Sequence, residues 1–174
     1  MHFPATARIH YTGVNIIMKS KKYLFLVCIA IPLLTGLAAS LLTGNEMYTF
    51  RSLNQPPLSP PAWLFPVVWT ILYLLMGISS YLILISGADE NTVASALTIY
   101  FLQLAVNFLW PTFFFNFGWY LFSFFWLVLL WILVFIMILR FLPISKWAAW
   151  LNIPYLVWLT FAGYLNFGIW WLNR

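Results

Sequence analysis

The charged residues of the chain stand at a few points, and long uncharged, mostly apolar stretches lie between them. The four longest of these stretches are residues 23–45, 52–88, 91–139 and 147–173. A helix that crosses the hydrocarbon core of a membrane needs about 20 apolar residues. The first and last stretches therefore predict one spanning helix each, the second predicts one helix and a loop, and the third predicts two helices.

This pattern predicts an all-α integral membrane protein, a five-transmembrane-helix bundle that forms one domain over residues 18–174. Each stretch is apolar on all sides, whereas the strands of a membrane barrel alternate apolar and polar residues, so a barrel is excluded. Residues 43–60 form the longest predicted loop, the proline loop. It ends in the stiff run Pro56-Pro57-Leu58-Ser59-Pro60-Pro61, which we call the proline segment. The five helices are expected at about 23–42, 62–85, 93–114, 119–140 and 147–172.

The segment before the first predicted helix and the small residues near the end of this helix have different implications. Residues 1–17 fit no helix that could be buried, and Met18 opens a more natural start. We interpret residues 1–17 as a disordered N-terminal extension or a mis-called start. At the other end, Gly36, Ser40 and Gly44 recur every fourth residue, a spacing of small residues that lets two membrane helices approach closely.

The positions of lysine and arginine predict the orientation of the bundle, because cytoplasmic loops carry an excess of these residues. The N-terminus and the turns between helices 2 and 3 and between helices 4 and 5 share one side of the membrane. That side carries Arg8, Lys19, Lys21, Lys22, Arg140 and Lys146, and the opposite side carries Arg51 and Arg174. The count predicts a cytoplasmic N-terminus and an outward-facing proline loop for this multi-pass protein, which we expect in a bacterial cell membrane.

Composition excludes several kinds of chemistry. The chain is 64% apolar and 6% charged, and no Asp, Glu, Lys, Arg or His lies in the interior of a predicted span, since Arg140 is the last residue of the fourth. Charge-coupled transport, hydrolysis with a histidine base and zinc catalysis all depend on such residues. Cys28 is the only cysteine, so we expect no metal site, and a net charge of +5 spread over helix ends does not indicate nucleic-acid binding.

Aromatic and amide side chains form stripes on three of the predicted helices. Phe65, Trp69 and Tyr73 are spaced to share one face of helix 2. A second stripe lies on helix 3 and a third on helix 5, and their members are Gln103, Asn107 and Trp110, and Tyr155, Trp158, Ala162 and Asn166. Such faces indicate either a pocket for a flat apolar ligand or amides that only tie the helices together.

Three segments of the chain resemble the TspO/MBR family of tryptophan-rich sensory proteins and translocator (peripheral benzodiazepine receptor) proteins. They read PPLSPPAWLFPVVWTILYLLMG, QLAVNFLWPTFFF and ISKWAAWLNIPYLVWLTFAGYLN. The likeness extends from about residue 23 to 172. It implies a five-helix bundle, often a homodimer, that binds porphyrins such as protoporphyrin IX and haem. In some members it implies binding of sterols or benzodiazepine-type drugs.

The resemblance also assigns pocket positions to this chain. Trp69, Tyr73, Asn107, Trp110, Trp158 and Ala162 fall on family pocket positions, and Phe65 and Gln103 share their faces. The loop residues Phe50, Pro60 and Pro61 are expected to cover the pocket. The tryptophans that match Trp69 and Trp158 are implicated, in some bacterial relatives, in light-dependent breakdown of bound porphyrin, which makes these two residues catalytic candidates.

The proline loop departs from the family pattern at several positions. The family often has Trp-Tyr at the positions of Thr49 and Phe50, and then a Lys-Pro-x-Trp-x-Pro-Pro run. In this chain Gln55 and Leu58 stand in place of the lysine and the tryptophan. These changes put loop contacts to an acidic porphyrin side chain in doubt.

Three functional hypotheses follow from the sequence. The first is a membrane receptor or sensor that binds a porphyrin or a similar planar ligand, with no cofactor required. The second is an enzyme that breaks down porphyrin by photo-oxidation. The third is a structural or partner-binding membrane protein whose pocket is incidental.

Overall fold

The computed structural model describes residues 5–44 and 46–174, and the described residues form helices and connecting turns. Five long helices and two short ones follow one another along the chain. They are α1 (Ala5–Thr43), α2 (Glu46–Ser52), α3 (Leu64–Leu84), α4 (Glu90–Pro111), α5 (Tyr120–Phe141), α6 (Lys146–Trp150) and α7 (Ile153–Leu172). A π-helical turn, Thr112–Asn116, continues α4.

Four segments of these helices are long and apolar enough to cross a membrane, namely Lys21–Thr43, Leu64–Leu84, Glu90–Asn116 and Tyr120–Phe141. The fifth long helix, α7, has 20 residues, which is sufficient length for a spanning helix. Its buried residues include Tyr155 and Asn166. The prediction of a five-helix membrane bundle is confirmed.

The first long helix begins earlier than the sequence pattern indicates. We expected it at about residue 23, and α1 begins at Ala5 because no proline interrupts the backbone between residues 5 and 31. Residues 1–4 lie outside the described residues. The interpretation of residues 1–17 as an extension or a mis-called start stays a prediction.

Two proline residues place helix ends within the predicted helices 93–114 and 147–172. The helix predicted over 147–172 is instead α6 and α7, which are separated at Leu151 and Asn152 because Pro154 occupies the first turn of α7. Likewise α4 ends at Pro111, whose missing N–H turns the following residues into the π-helical turn. The predicted loop 43–60 contains the short helix α2.

Close approach of α1 and α3 organises one side of the bundle. Gly77 of α3 is buried, and a Cβ atom there would lie 2.7 Å from the Cα atom of Ile29. Only a glycine therefore permits this contact between the helices. On the other side, α5 packs against α4 and α7 through residues such as Leu130, Val134 and Met137, while its Phe125 is exposed.

The end of the bundle that carries the α3–α4 and α5–α6 turns is held by polar contacts. The Asn152 amide donates to Ser79 Oγ at 2.7 Å and to the Ala148 carbonyl oxygen at 2.8 Å. Asp89 caps α4 by accepting a hydrogen bond from the Thr92 N–H at 3.0 Å. Its hydrogen bonds with Thr92 hold the pKa of the Asp89 carboxyl below its usual value. The opposite end contains α2, the proline segment and the candidate site.

Candidate functional site

A cavity of about 440 Å³ lies between α1, α3, α4 and α7, beneath α2. Pockets that bind small ligands have volumes of roughly 300–1,000 Å³ and mostly apolar walls. The main contributors to its walls are Gly36, Leu37, Ser40, Glu46, Phe50, Phe65, Pro66, Trp69, Thr70, Tyr73, Asn107, Trp110, Phe114, Phe115, Ala162 and Asn166. Leu37 and Ser40 of α1 and Pro66 and Thr70 of α3 are exposed, so these two helices border the open side of the cavity.

Aromatic rings form the walls on the α3 side. The indole of Trp69 stacks on the ring of Tyr73, with 5.5 Å between ring centroids. The ring of Phe65 meets the ring of Phe50 edge to face at 4.9 Å, and this contact brings α2 down onto α3. The Trp69–Tyr73 pair follows from the spacing of four residues along α3, which places Phe65, Trp69 and Tyr73 on one helix face.

The opposite wall is held by a tryptophan and an asparagine. Trp110 stacks on Phe114 at 5.3 Å between ring centroids. In the amide orientation that satisfies both groups, the Asn166 oxygen accepts from Trp110 Nε1 at 3.2 Å, and its nitrogen donates to the Tyr120 carbonyl oxygen at 2.8 Å. The hydrogen bond to Asn166 of α7 therefore fixes the orientation of the Trp110 ring, although Trp110 belongs to α4.

The inner end of the cavity carries a buried polar chain. The Asn107 amide donates to the Tyr155 hydroxyl at 3.0 Å, and that hydroxyl donates to Gln103 Oε1 at 3.1 Å. The Gln103 amide in turn lies 3.9 Å from the sulfur of Met76. Asn107 lines the cavity, whereas Gln103 lies one helical turn deeper, where Tyr155 and Met76 cover it.

The structure brings seven of the eleven predicted ligand-binding residues to the cavity wall and leaves four away from it. Pro60, Pro61, Gln103 and Trp158 are the four that do not line the cavity, and the seven that do are Phe50, Phe65, Trp69, Tyr73, Asn107, Trp110 and Ala162. The ligand-binding role of all eleven residues stays a prediction.

Trp158 lies behind the wall and not in it. Its ring meets the ring of Phe65 edge to face, with 5.9 Å between centroids. Its Nε1 is buried and has no hydrogen-bond partner among the described residues. Of the two catalytic candidates, Trp69 lines the cavity and Trp158 contacts it only through Phe65.

Sequence reasoning missed the contribution of α1 and, within α2, that of Glu46. Gly36, Leu37 and Ser40 line the cavity, and so does Glu46. The regular spacing of Gly36 and Ser40 was a usable signal for an inward face of α1. Gly44 also lines the cavity, and it ends α1 in a left-handed conformation with a φ of 69°.

The proline segment is attached to the end of α7 and covers this end of the bundle. The Tyr164 hydroxyl donates to the Pro57 carbonyl oxygen at 2.6 Å. Asn54 and Asn173 are joined by two hydrogen bonds of 2.9 Å, one in each direction between the Asn54 backbone and the Asn173 side chain. Pro56 packs on Gly168, where a Cβ atom would lie 2.7 Å from the proline ring.

The site offers aromatic faces, several amide and hydroxyl groups, and one carboxylate. Within the described residues, no group of three or more His, Cys, Asp or Glu side chains comes together. Flat apolar molecules with a few polar edge groups match this lining, because aromatic rings stack on their faces while amides hydrogen-bond at their edges.

Comparison with known proteins gives a consistent result. The sequence profile of the TspO/MBR family matches residues 28–172. The chain is 38% identical over 148 residues to the tryptophan-rich protein TspO of Chlorobaculum tepidum, covering 84% of this chain and 94% of that protein. It is 35% identical to the tryptophan-rich sensory protein of Cereibacter sphaeroides, covering 86% and 89% of the two chains.

A mammalian protein shows a similar level of likeness. The translocator protein of Bos taurus is 36% identical over 150 residues, which cover 83% of this chain and 86% of that protein. The family match over residues 28–172 includes the helices that surround the cavity, and these comparisons confirm the resemblance seen in the sequence. This chain belongs to the TspO/MBR family of multi-pass membrane proteins.

Proposed function

We propose that this protein is a membrane receptor that binds a flat, largely apolar ligand of the tetrapyrrole class, such as protoporphyrin IX or haem, in the cavity beneath α2. The observation that carries the proposal is the lining itself. Trp69, Tyr73 and Trp110 present aromatic rings, and Asn107 and Asn166 add amides. The names of the relatives, sensory protein and translocator protein, fit a role in ligand sensing or transport.

The proposal includes an orientation in the membrane. The lysine and arginine count favours a cytoplasmic N-terminus, so the proline segment and α2 cover the cavity from the outer side of a bacterial cell membrane. The receptor is proposed to act as a homodimer. Because α1 and α3 border the open side of the cavity, an apolar ligand would have a route from the bilayer that does not require the proline segment to move.

Photo-oxidative breakdown of the bound porphyrin is the second candidate function. The position of Trp69 favours it, since its indole lines the cavity and stacks on Tyr73. An excited porphyrin would take one electron from the Trp69 indole, and the reduced porphyrin would pass that electron to dissolved oxygen. The superoxide that forms would add to the porphyrin ring, and the adduct would return one electron to the Trp69 radical cation, so that the net change is the addition of one molecule of oxygen to the porphyrin.

The test is to fill the cavity. Ala162 lines it on α7, and Ala162→Phe adds a phenyl ring, whereas Ala105→Phe adds the same ring on an exposed position of α4. Binding of protoporphyrin IX is followed through the porphyrin absorption band, so that no tryptophan has to act as reporter. We expect Ala162→Phe to weaken binding at least about tenfold, equal to about 1.4 kcal/mol.

A control variant and the unfolding temperature show whether weaker binding comes from filling the cavity or from loss of the fold. Ala105→Phe should bind as the wild type does, and both variants should retain a cooperative thermal transition in detergent. Equal porphyrin binding by folded Ala162→Phe and wild type would contradict the proposal. It would favour the third hypothesis, a structural or partner-binding protein with an incidental cavity.

A further inference from the structure

Glu46 stands at the rim of the cavity and is held in place there. It is the first residue of α2 and is half-buried. Its carboxylate accepts a hydrogen bond from the hydroxyl of Thr43, the last residue of α1. The carboxylate is therefore attached to the end of α1 and lines the cavity at the same time.

The charge of Glu46 is not balanced by another cavity residue. Among the described residues that line the cavity, Glu46 is the only one with a formal charge. Arg51, the basic residue of α2, is exposed and does not belong to the lining. The other polar groups of the wall are neutral hydroxyls, amides and indole N–H groups. A ligand in this cavity therefore encounters a single negative charge surrounded by aromatic and aliphatic side chains.

An uncompensated carboxylate next to an apolar cavity makes the affinity for a ligand depend on the charge of that ligand. Coulomb attraction between opposite charges is stronger beside a low-dielectric wall than in water, and like charges are repelled to the same extent. Partial exposure of Glu46 screens this effect, so we expect about a five- to tenfold change in Kd for each unit of ligand charge.

We infer that Glu46 makes the cavity select flat ligands that carry a cationic group and disfavour those with a carboxylate at the edge. This inference rests on the proposed function, since it concerns the ligand class of the same cavity. It also ranks porphyrins, because esterification of the two carboxylates of protoporphyrin IX removes the groups that Glu46 repels. The dimethyl ester should accordingly bind more tightly than the free acid.

Three acridines provide matched probes, because they share one planar ring system and differ in charge. At pH 7.5, 9-aminoacridine is a cation, acridine is neutral and acridine-9-carboxylate is an anion. Binding is measured by fluorescence anisotropy on the full chain in phosphatidylcholine nanodiscs, with empty nanodiscs subtracted. The test variant is Glu46→Gln. The control is Glu90→Gln, which changes an exposed glutamate at the start of α4, at the other end of the bundle.

For the wild type we expect 9-aminoacridine to bind about five- to tenfold more tightly than acridine, and acridine-9-carboxylate to bind most weakly. In Glu46→Gln the three Kd values should fall within about twofold of one another. Glu90→Gln should keep the wild-type order. Added salt should reduce the preference in the wild type, because ions screen an exposed charge, and should leave Glu46→Gln unchanged.

The outcomes separate this inference from the proposed function. Binding of the three probes by wild type without a charge order, or an order that persists in Glu46→Gln, overturns the role of Glu46 alone. Failure of every acridine to bind a wild type that still binds protoporphyrin IX overturns the role of Glu46 alone, whereas failure of the acridines and of protoporphyrin IX contradicts the proposed receptor as well. Binding that survives Ala162→Phe places the probes outside the cavity and overturns the inference as well.

Discussion

Asn107 of α4 and Tyr155 of α7 are joined by a buried hydrogen bond of 3.0 Å at the inner end of the cavity. The same hydroxyl donates to Gln103, so one phenol connects two amides that lie one turn apart on α4. Within a membrane, unpaired amides are costly, so this chain both fixes α4 against α7 and sets the direction of the Asn107 amide.

Tyr155→Phe removes the shared hydroxyl and leaves both amides with one partner fewer. We expect a loss of about 1–2 kcal/mol of stability, because buried polar groups lose hydrogen bonds that lipid cannot replace. Thermal unfolding in detergent measures the effect. The exposed tyrosine Tyr48 supplies the control, and Tyr48→Phe should unfold at the wild-type temperature. An unchanged transition in Tyr155→Phe would show that the hydrogen-bonded chain contributes nothing.

Gly36→Ala tests whether the position of the Tyr73 ring keeps the cavity open. A Cβ atom at residue 36 would lie 2.1 Å from Tyr73 Cε2, so the ring has to move. We expect porphyrin binding to weaken at least about fivefold, or about 1 kcal/mol. Gly163→Ala is the matched control on α7, where the nearest atom would lie 3.5 Å from the new Cβ. If both variants bind porphyrin with equal affinity, the position of the Tyr73 ring does not control binding.

Because the proline segment is attached to α7, we expect the backbone amides of this segment to be protected from hydrogen exchange. Tyr164→Phe removes the hydrogen bond to the Pro57 carbonyl, whose length is 2.6 Å. Since such a bond contributes about 0.5–1.5 kcal/mol, hydrogen exchange over residues 54–60 should accelerate about two- to tenfold. Exchange in α5, far along the chain from the segment, should not change. Mass spectrometry of peptic peptides measures both, and identical exchange in the variant and wild type would argue against the attachment.

Much of the fold is readable from the sequence because lipid imposes a simple rule. Uncharged stretches of sufficient length must be helices, and α3 and α5 lie within two residues of their predicted bounds. Short elements escape that rule. The helices α2 and α6 have seven and five residues, too few for a recognisable period. We expected one continuous helix over 147–172, and Pro154 instead separates α6 from α7.

The cavity was only partly predictable, for reasons of geometry. Helical spacing identifies which residues share a face, and it correctly grouped Phe65, Trp69 and Tyr73. It does not indicate how deep a residue lies along that face, and Gln103, one turn from Asn107, lies below the cavity floor. Helical spacing also gives no information about Glu46. Spacing relates residues within one helix, and Glu46 lies in the short helix α2, apart from the long helices whose faces form the walls.

The different positions of the two candidate tryptophans predict different effects on photochemistry. Trp69→Phe should slow light-dependent loss of bound protoporphyrin IX at least about tenfold, because electron donation requires a ring next to the ligand. Trp158→Phe should have a smaller effect, since Phe65 stands between Trp158 and the cavity. The assay counts porphyrin molecules lost per protein under light and oxygen. Equal rates in Trp69→Phe and wild type, or bleaching that stops at one porphyrin per protein, would argue against catalysis.

The central claim is that the cavity between α1, α3, α4 and α7 holds a flat ligand. A crystal structure of the protein with protoporphyrin IX dimethyl ester tests it most directly. We expect the macrocycle between Trp69 and Trp110, with the Asn107 amide at its edge and α2 above it. A macrocycle on the lipid-facing surface, with the rings of Trp69 and Tyr73 closed over an empty cavity, would contradict the proposed ligand site.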